Sequence, residues 1–170
     1  GRNTAPAVAL AAHEVLKQED DAILVVLPSD HVIRETDVFL DALTRAISLA
    51  KSDALVTFGV VPDKPETGYG YIRKGLALEG AYRVNEFVEK PDLERAVEFF
   101  QSGLYLWNSG MFVFKASVFL KELVKQKPDM AAAITKASRG SRRDLDFTRV
   151  DAEAFCVSES ESIDYAVMEH

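Results

Sequence analysis

The run AILVVLPSDH, Ala22–His31, decides the fold class. Ile23 to Leu27 are continuously apolar, the pattern of a strand covered on both faces in a parallel sheet. Pro28 ends the strand, and Ser29, Asp30 and His31 follow in a turn. On either side the pattern changes to helix. Ala7 to Lys17 read as a helix, with Asn3 or Thr4 as N-cap and Pro6 in the first turn. Val38 to Lys51 read as another, with Phe39, Ala42, Leu43, Ala46 and Ile47 on one stripe. Ala54 to Val61 return as a second buried strand. Helix, strand, helix, strand in that order is the signature of an α/β fold.

The middle of the chain breaks the alternation. Pro62 to Gly75, PDKPETGYGYIRKG, is rich in proline and glycine and reads as turns. Further on, Tyr82 to Val88 read as a strand, Leu93 to Ser102 as a helix and Met111 to Lys115 as a strand. Ser117 to Lys127 and Asp129 to Ala137 read as helices, Arg139 to Asp146 as a polar loop, Ala154 to Val157 as a short strand and Ile163 to Glu169 as a final helix.

Composition bounds the function classes. The chain has 170 residues, 48% apolar and 28% charged, which predicts one soluble domain, residues 1–170, with a substantial core. The net charge of −7 argues against a nucleic-acid partner, because phosphate backbones demand basic patches. No apolar run approaches the roughly 20 residues of a membrane helix, so no membrane partner is expected. The single cysteine, Cys156, excludes an internal disulfide and reads as a core residue in an apolar alternation. A cytoplasmic location fits this. Oligomeric state is not fixed, and a homo-oligomer is admitted. The absence of an initiator methionine and the uncapped ending SIDYAVMEH suggest a fragment.

Several residues could carry chemistry, and each has an ordinary alternative. Asp30 lies just past the carboxyl end of a buried strand, where open α/β sheets bind ligands. Its carboxylate suits a hard cation such as magnesium, or it caps the loop. His31 is a candidate base or a turn residue, and His13 a surface or boundary residue. TGYGYI, Thr67–Ile72, sets Gly68 and Gly70 around Tyr69, for close backbone approach to a ligand or for a tight hairpin. In FVEKP, Phe87–Pro91, Glu89 could accept sugar hydroxyls and Lys90 could meet a phosphate, or the two form a solvated ion pair. In YLWNSGMFVF, Tyr105–Phe114, polar Asn108, Ser109 and Gly110 sit among aromatics. Their partners are either the backbone of a bulge or the hydroxyls of a sugar. Asp164 opens the last helix, where an acid suits the dipole or supplies a second metal ligand.

Taken in order, GRNTAPA, LPSDH, PETGYGYI, FVEKP, WNSGMF and SIDYAVME closely resemble the nucleotidyltransferases that make sugar nucleotides, and within them the bacterial mannose-1-phosphate guanylyltransferase branch. The resemblance covers nearly the whole chain. It implies a doubly wound, Rossmann-like α/β sheet with a partly antiparallel extension. The implied reaction is attack by the phosphate of mannose 1-phosphate on the α-phosphorus of GTP, with loss of pyrophosphate and with Mg2+ as cofactor. By this resemblance Asp30 and Asp164 are the metal carboxylates. Glu89 and Asn108 hold mannose hydroxyls, with Ser109 and Gly110 beside them, and Lys90 holds the phosphate. Gly68, Tyr69 and Gly70 line the sugar side, and Arg2, Asn3 and Thr4 face the guanine.

One departure is expected to matter. The family begins with a glycine-rich loop of the form G-G-x-G-T-R-L-x-P that cradles the triphosphate. That loop is not in this sequence, and the first strand of the sheet is expected to be missing with it. Nor is there a trace of the isomerase domain that follows in several members. The expected object is a truncated core, inactive or weakly active alone. Three other readings stay open: a sister enzyme using another sugar phosphate and nucleotide, a non-catalytic binding module of the same fold, and a phosphohydrolase with Asp30 as nucleophile. The last needs a second acid close behind Asp30, and none is there.

Overall fold

The computed structural model describes residues 1–18 and 20–170. Its centre is the long strand β5, Tyr105–Lys115. On one edge β5 pairs with β2, Val56–Val60, and its other edge is shared between β1, Ile23–Val26, and β3, Tyr71–Leu78, which continues the sheet into β4, Ala81–Val88. Every one of these pairings is antiparallel. β1 and β2 therefore run parallel to one another with β5 reversed between them. The expected α/β fold is present, but its hydrogen-bonded neighbours are antiparallel, where the apolar run of β1 suggests a parallel ladder. Nor is β1 fully buried as expected: Leu24 and Val26 pack into the main core and Ile23 against α2, while Val25 is exposed.

Helices cover both faces. α1, Thr4–Val15, α4, Ala116–Gln126, and α5, Pro128–Arg139, pack on one face. There Val8, Phe112, Phe114, Phe119, Leu123 and Ile134 form the main core, joined by Leu24 and Val26 of β1. α2, Thr36–Ala50, packs on the other face through Ala46 and Ala50 against Val113, with Ile23 and Phe58 alongside. α3, Leu93–Ser102, is clamped by a carboxylate of Asp92 accepting from the Arg95 amide at 2.9 Å and by Gly103 at φ 65. Its Ala96 and Phe99 bury Tyr71 in a smaller aromatic cluster.

Five local readings change. Tyr71–Leu78 is a strand, paired in a hairpin with β4 around Gly80 at φ 72; lysine, arginine and glycine hide its alternation. β5 begins at Tyr105 because the polar Asn-Ser-Gly triplet is a bulge inside a strand. Thr57 opposes Phe112 while Gly59 opposes Asn108, so four steps of β5 span two of β2. The loop after α5 carries a small hairpin, β6, Arg142–Asp144, and β7, Phe147–Arg149. The Ala154–Val157 segment is helical, α6, Ala152–Val157, because the Asp151 carboxylate caps it by accepting from the Ala154 amide at 3.0 Å. Cys156 is consequently exposed and is not a core residue. After α6, Asp164–Met168 form a single wide π-helical turn in place of the α-helix expected there.

Phe119 is fully buried and stacks on Phe114 at 4.9 Å between ring centres. Phe119→Ala should lower stability by about 3–5 kcal/mol, and loss of the cap in Asp92→Ala by about 1 kcal/mol, both read as the midpoint of urea unfolding.

Candidate active site

The β5 bulge gathers residues from four segments around one amide. Asn108 donates its backbone N–H to the Gly70 carbonyl at 2.8 Å. Its side-chain Nδ2 donates to Asp164 Oδ1 at 2.7 Å. Its Oδ1 accepts from the Thr57 hydroxyl at 3.0 Å and from the Gly110 amide at 3.2 Å. The bulge holds that shape because Gly110 takes φ 70, a region open to glycine, and because the Ser109 hydroxyl accepts from the Met111 amide. Both readings of the triplet meet here: the Oδ1 partners come from the backbone and a neighbouring strand, and the Nδ2 partner is a candidate ligand.

Glu89 follows β4 directly, beside this cluster. Its side chain is 9% exposed, and among the described residues Oε2 has no hydrogen-bond partner. Lys90 Nζ stands 3.5 Å from the other oxygen and is itself largely exposed. Burial, and then the neighbouring Asp164 carboxylate, push the Glu89 carboxyl above its usual range; Lys90 pulls the other way, and Glu169 adds to the rise. The strand end is held by Glu169, whose Oε1 accepts from the Glu89 amide at 2.9 Å. Lys90 takes φ 46, a strained value for a residue with a side chain.

Gly70 closes the cluster from above. A Cβ there would lie 2.4 Å from Glu89 Oε2 and 3.3 Å from Asn108 Cβ, so only glycine leaves the carboxylate its space. Gly68 is freer; its amide donates to Glu66 Oε1. Between them Tyr69 is half exposed and sets its ring edge-on to Trp107, 5.1 Å away. The loop is anchored by Tyr71, whose buried hydroxyl accepts from the Glu66 amide at 2.8 Å.

The remaining candidates are placed differently. Asp30 and His31 are exposed in the turn after β1, and Asp30 makes no side-chain hydrogen bond among the described residues. A Cβ on Gly110 would sit 3.7 Å from Pro28, so that turn lies alongside the bulge. Arg2 donates to the Cys156 carbonyl, Asn3 accepts from the Thr4 amide at φ 67, and the Thr4 hydroxyl accepts from the Ile163 amide at 2.9 Å. Thr4 thus ties the first helix to the segment that carries Asp164, Arg2 ties it to α6, and Asn3 caps the helix itself. Two participants were not picked out by sequence reasoning. Thr57 is a lone hydroxyl in an apolar strand, and Glu169 is the last acid of SIDYAVME. Their common signal is a polar residue inside an otherwise apolar pattern.

Among the described residues no three acidic, histidine or cysteine side chains gather into a metal cage. A magnesium ion needs none, since it is commonly held by one or two carboxylates together with substrate phosphates. Asp164 fits such a role: one oxygen is engaged by Asn108, and the donor type is right. No helix of the described residues is long and apolar enough to cross a membrane.

A sheet covered by helices on both faces, with a carboxylate–amide cluster at a bulge in its central strand, places the molecule in the nucleotidyltransferase fold class. Two solved structures share it: a Helicobacter pylori protein described as mannose-6-phosphate isomerase (TM-score 0.89, 40% identity, 99% of this chain and 65% of that one) and a Thermus thermophilus protein described as mannose-1-phosphate geranyltransferase (TM-score 0.86, 35% identity, 99% and 48%). The chain belongs to the nucleotidyl transferase family, whose model matches residues 1–153. It is 56% identical to the xanthan biosynthesis protein XanB of Xanthomonas campestris over 99% of its length and 36% of that protein's. It is 53% identical to the mannose-1-phosphate guanylyltransferase ManC of Salmonella typhimurium, over 99% of its length and 37% of that protein's. The chain thus spans little more than a third of these curated relatives.

The raised Glu89 carboxyl has a consequence for stability. The folded state holds the proton more tightly than the unfolded chain. Its contribution is therefore greatest below the ordinary carboxyl range and is lost as pH rises through the raised value. Glu89→Gln should raise the urea midpoint at pH 7 and leave it unchanged near pH 3.

Proposed function

We propose that this chain is the core of a mannose-1-phosphate guanylyltransferase, which joins GTP and mannose 1-phosphate into GDP-mannose and pyrophosphate. The observation that carries the reading is the convergence of Gly70, Glu89, Asn108 and Asp164, in a chain more than half identical along its length to a relative named for that activity. A relative named mannose-1-phosphate guanylyltransferase in Escherichia coli, 51% identical, supports it further.

The chemistry follows from the groups present. A phosphate oxygen of mannose 1-phosphate attacks the α-phosphorus of GTP. The new O–P bond forms as the bond to the β-phosphate oxygen breaks, and pyrophosphate leaves with the electron pair. The nucleophile is already an anion, so no strong base is required, and positioning does most of the work. Glu89 Oε2, buried and unpartnered, accepts mannose hydroxyls, and the second N–H of Asn108 donates to one. Lys90 meets the sugar phosphate as a point charge. Gly68, Tyr69 and Gly70 form the roof, with Ser109 and Gly110 as the floor. Arg2, Asn3 and Thr4 face the guanine end. Nucleotidyltransferases of this family generally use a divalent metal. For this chain we assign Mg2+, held by Asp30 and Asp164, where it neutralises charge on the phosphates. A cytoplasmic enzyme, possible as a homo-oligomer, is the setting this implies.

In the natural full-length protein, pyrophosphate release from GTP should require mannose 1-phosphate, cease with EDTA and return with Mg2+. Asp164→Asn and Glu89→Gln should each lower kcat/KM about 100-fold or more. Turnover with glucose 1-phosphate but not mannose 1-phosphate, or wild-type rates in both variants, overturns the assignment.

A further inference from the structure

We propose that Thr57 is a positioning residue that holds the Asn108 amide in its working place against the sheet. This rests on the functional reading above, in which Asn108 meets the sugar.

An asparagine amide presents an acceptor on one side and two donors on the other, and a half-turn about its last bond exchanges them. A sugar hydroxyl binds well to one face only, so the orientation matters. In the structure Oδ1 points back into the sheet, and Nδ2 points toward Asp164. Three groups act on that choice. Asp164 accepts from Nδ2, but it is also the residue assigned to substrate-linked cation binding, so its oxygens are shared with a ligand. The Gly110 amide reaches Oδ1 at 3.2 Å, and it belongs to the same bulge, two residues on. Thr57 alone comes from another strand. Its hydroxyl lies 3.0 Å from Oδ1 and 3.2 Å from the Met111 carbonyl, and its one proton is shared between these two acceptors, the nearer being Oδ1.

The local register explains why a hydroxyl can stand there. Thr57 opposes Phe112 at the last regular pair before the slip, and the next paired residue on β2, Gly59, already opposes Asn108. The extra residues of β5 bring the Asn108 side chain toward the position Thr57 occupies. Gly59 must be small for a related reason, because a Cβ there would lie 2.5 Å from the Leu106 side chain. The Gly110 amide, which can only donate, keeps Oδ1 turned inward, and the Thr57 hydroxyl holds the side chain in place there even when Asp164 is engaged elsewhere. With Thr57 removed, Oδ1 keeps one long bond, and the Met111 carbonyl loses the side-chain partner it shares.

The test is calorimetric titration of the natural full-length protein with mannose 1-phosphate, alongside steady-state kinetics. Thr57→Val keeps the shape and removes the donor. Thr57→Ser and Thr57→Cys form a second pair that differs only in oxygen against sulfur. Thr57→Val and Thr57→Cys should weaken mannose 1-phosphate binding about tenfold and raise its KM to match, with the KM for GTP unchanged within twofold. Thr57→Ser should restore wild-type values within about threefold. Equal weakening in the serine and cysteine variants means packing rather than the hydroxyl, and overturns the inference. So does wild-type affinity in Thr57→Val and Thr57→Cys. If the valine variant does not fold, the serine–cysteine comparison decides alone. Wild-type protein that binds no mannose 1-phosphate overturns the functional reading, and this inference with it.

Discussion

The bond from Asn108 Nδ2 to Asp164 Oδ1 joins the middle of the central strand to a turn 56 residues later, and the site is organised by it. Asn108 can make this bond only because the strand is bulged there. A regular β5 would space the residue against β2 and leave no slack for its side chain. The bulge in turn needs Gly110 at positive φ and neighbours that absorb its polar groups, which the Thr57 hydroxyl and the Gly70 carbonyl do. Local irregularity in an otherwise ordinary sheet is what turns a structural strand into one wall of a binding site.

Around that bond the molecule keeps several unfavourable features. A largely buried carboxylate oxygen lacks a partner, a second carboxylate lies close to it, and Lys90 sits at positive φ. Each lowers stability where it stands. The compensation lies beneath, in Phe112, Phe114, Phe119 and Leu123 packed between the sheet and α4. A ligand that supplies hydroxyl donors to Glu89 removes part of that deficit. Binding and folding are therefore linked through the same oxygen.

Much of this was readable from residue order. Asp92 and Gly103 bracket α3 as cap and stop, and its bounds match the pattern. The apolar runs of β1 and β2 and the stripe of α2 were equally plain. What was hidden was hidden for definable reasons. Asn-Ser-Gly carries turn chemistry, so the first half of β5 did not read as strand. Strand direction is not encoded in an apolar run at all. The alternation at Ala154–Val157 competed with the cap at Asp151, and the cap won. At the site, the motifs singled out Glu89, Asn108 and Asp164, but no spacing rule brings Asp164 to Asn108. Thr57 escaped because a β-branched hydroxyl residue suits a strand without any further role. The placing of Asp30 relative to Asp164 is not a matter that local pattern addresses.

The bond between the Thr4 hydroxyl and the Ile163 amide closes a span of 159 residues, and it lies next to Asp164. Contacts of such separation form late, because chain entropy must be lost before they gain anything. During synthesis α1 and strands β1 to β5 leave the ribosome before the segment that carries Asp164, so the carboxylate joins a sheet whose strands are already made. A nascent chain that has paired those strands still has an unfinished site, and it acquires Asp164 only when its two distant segments meet.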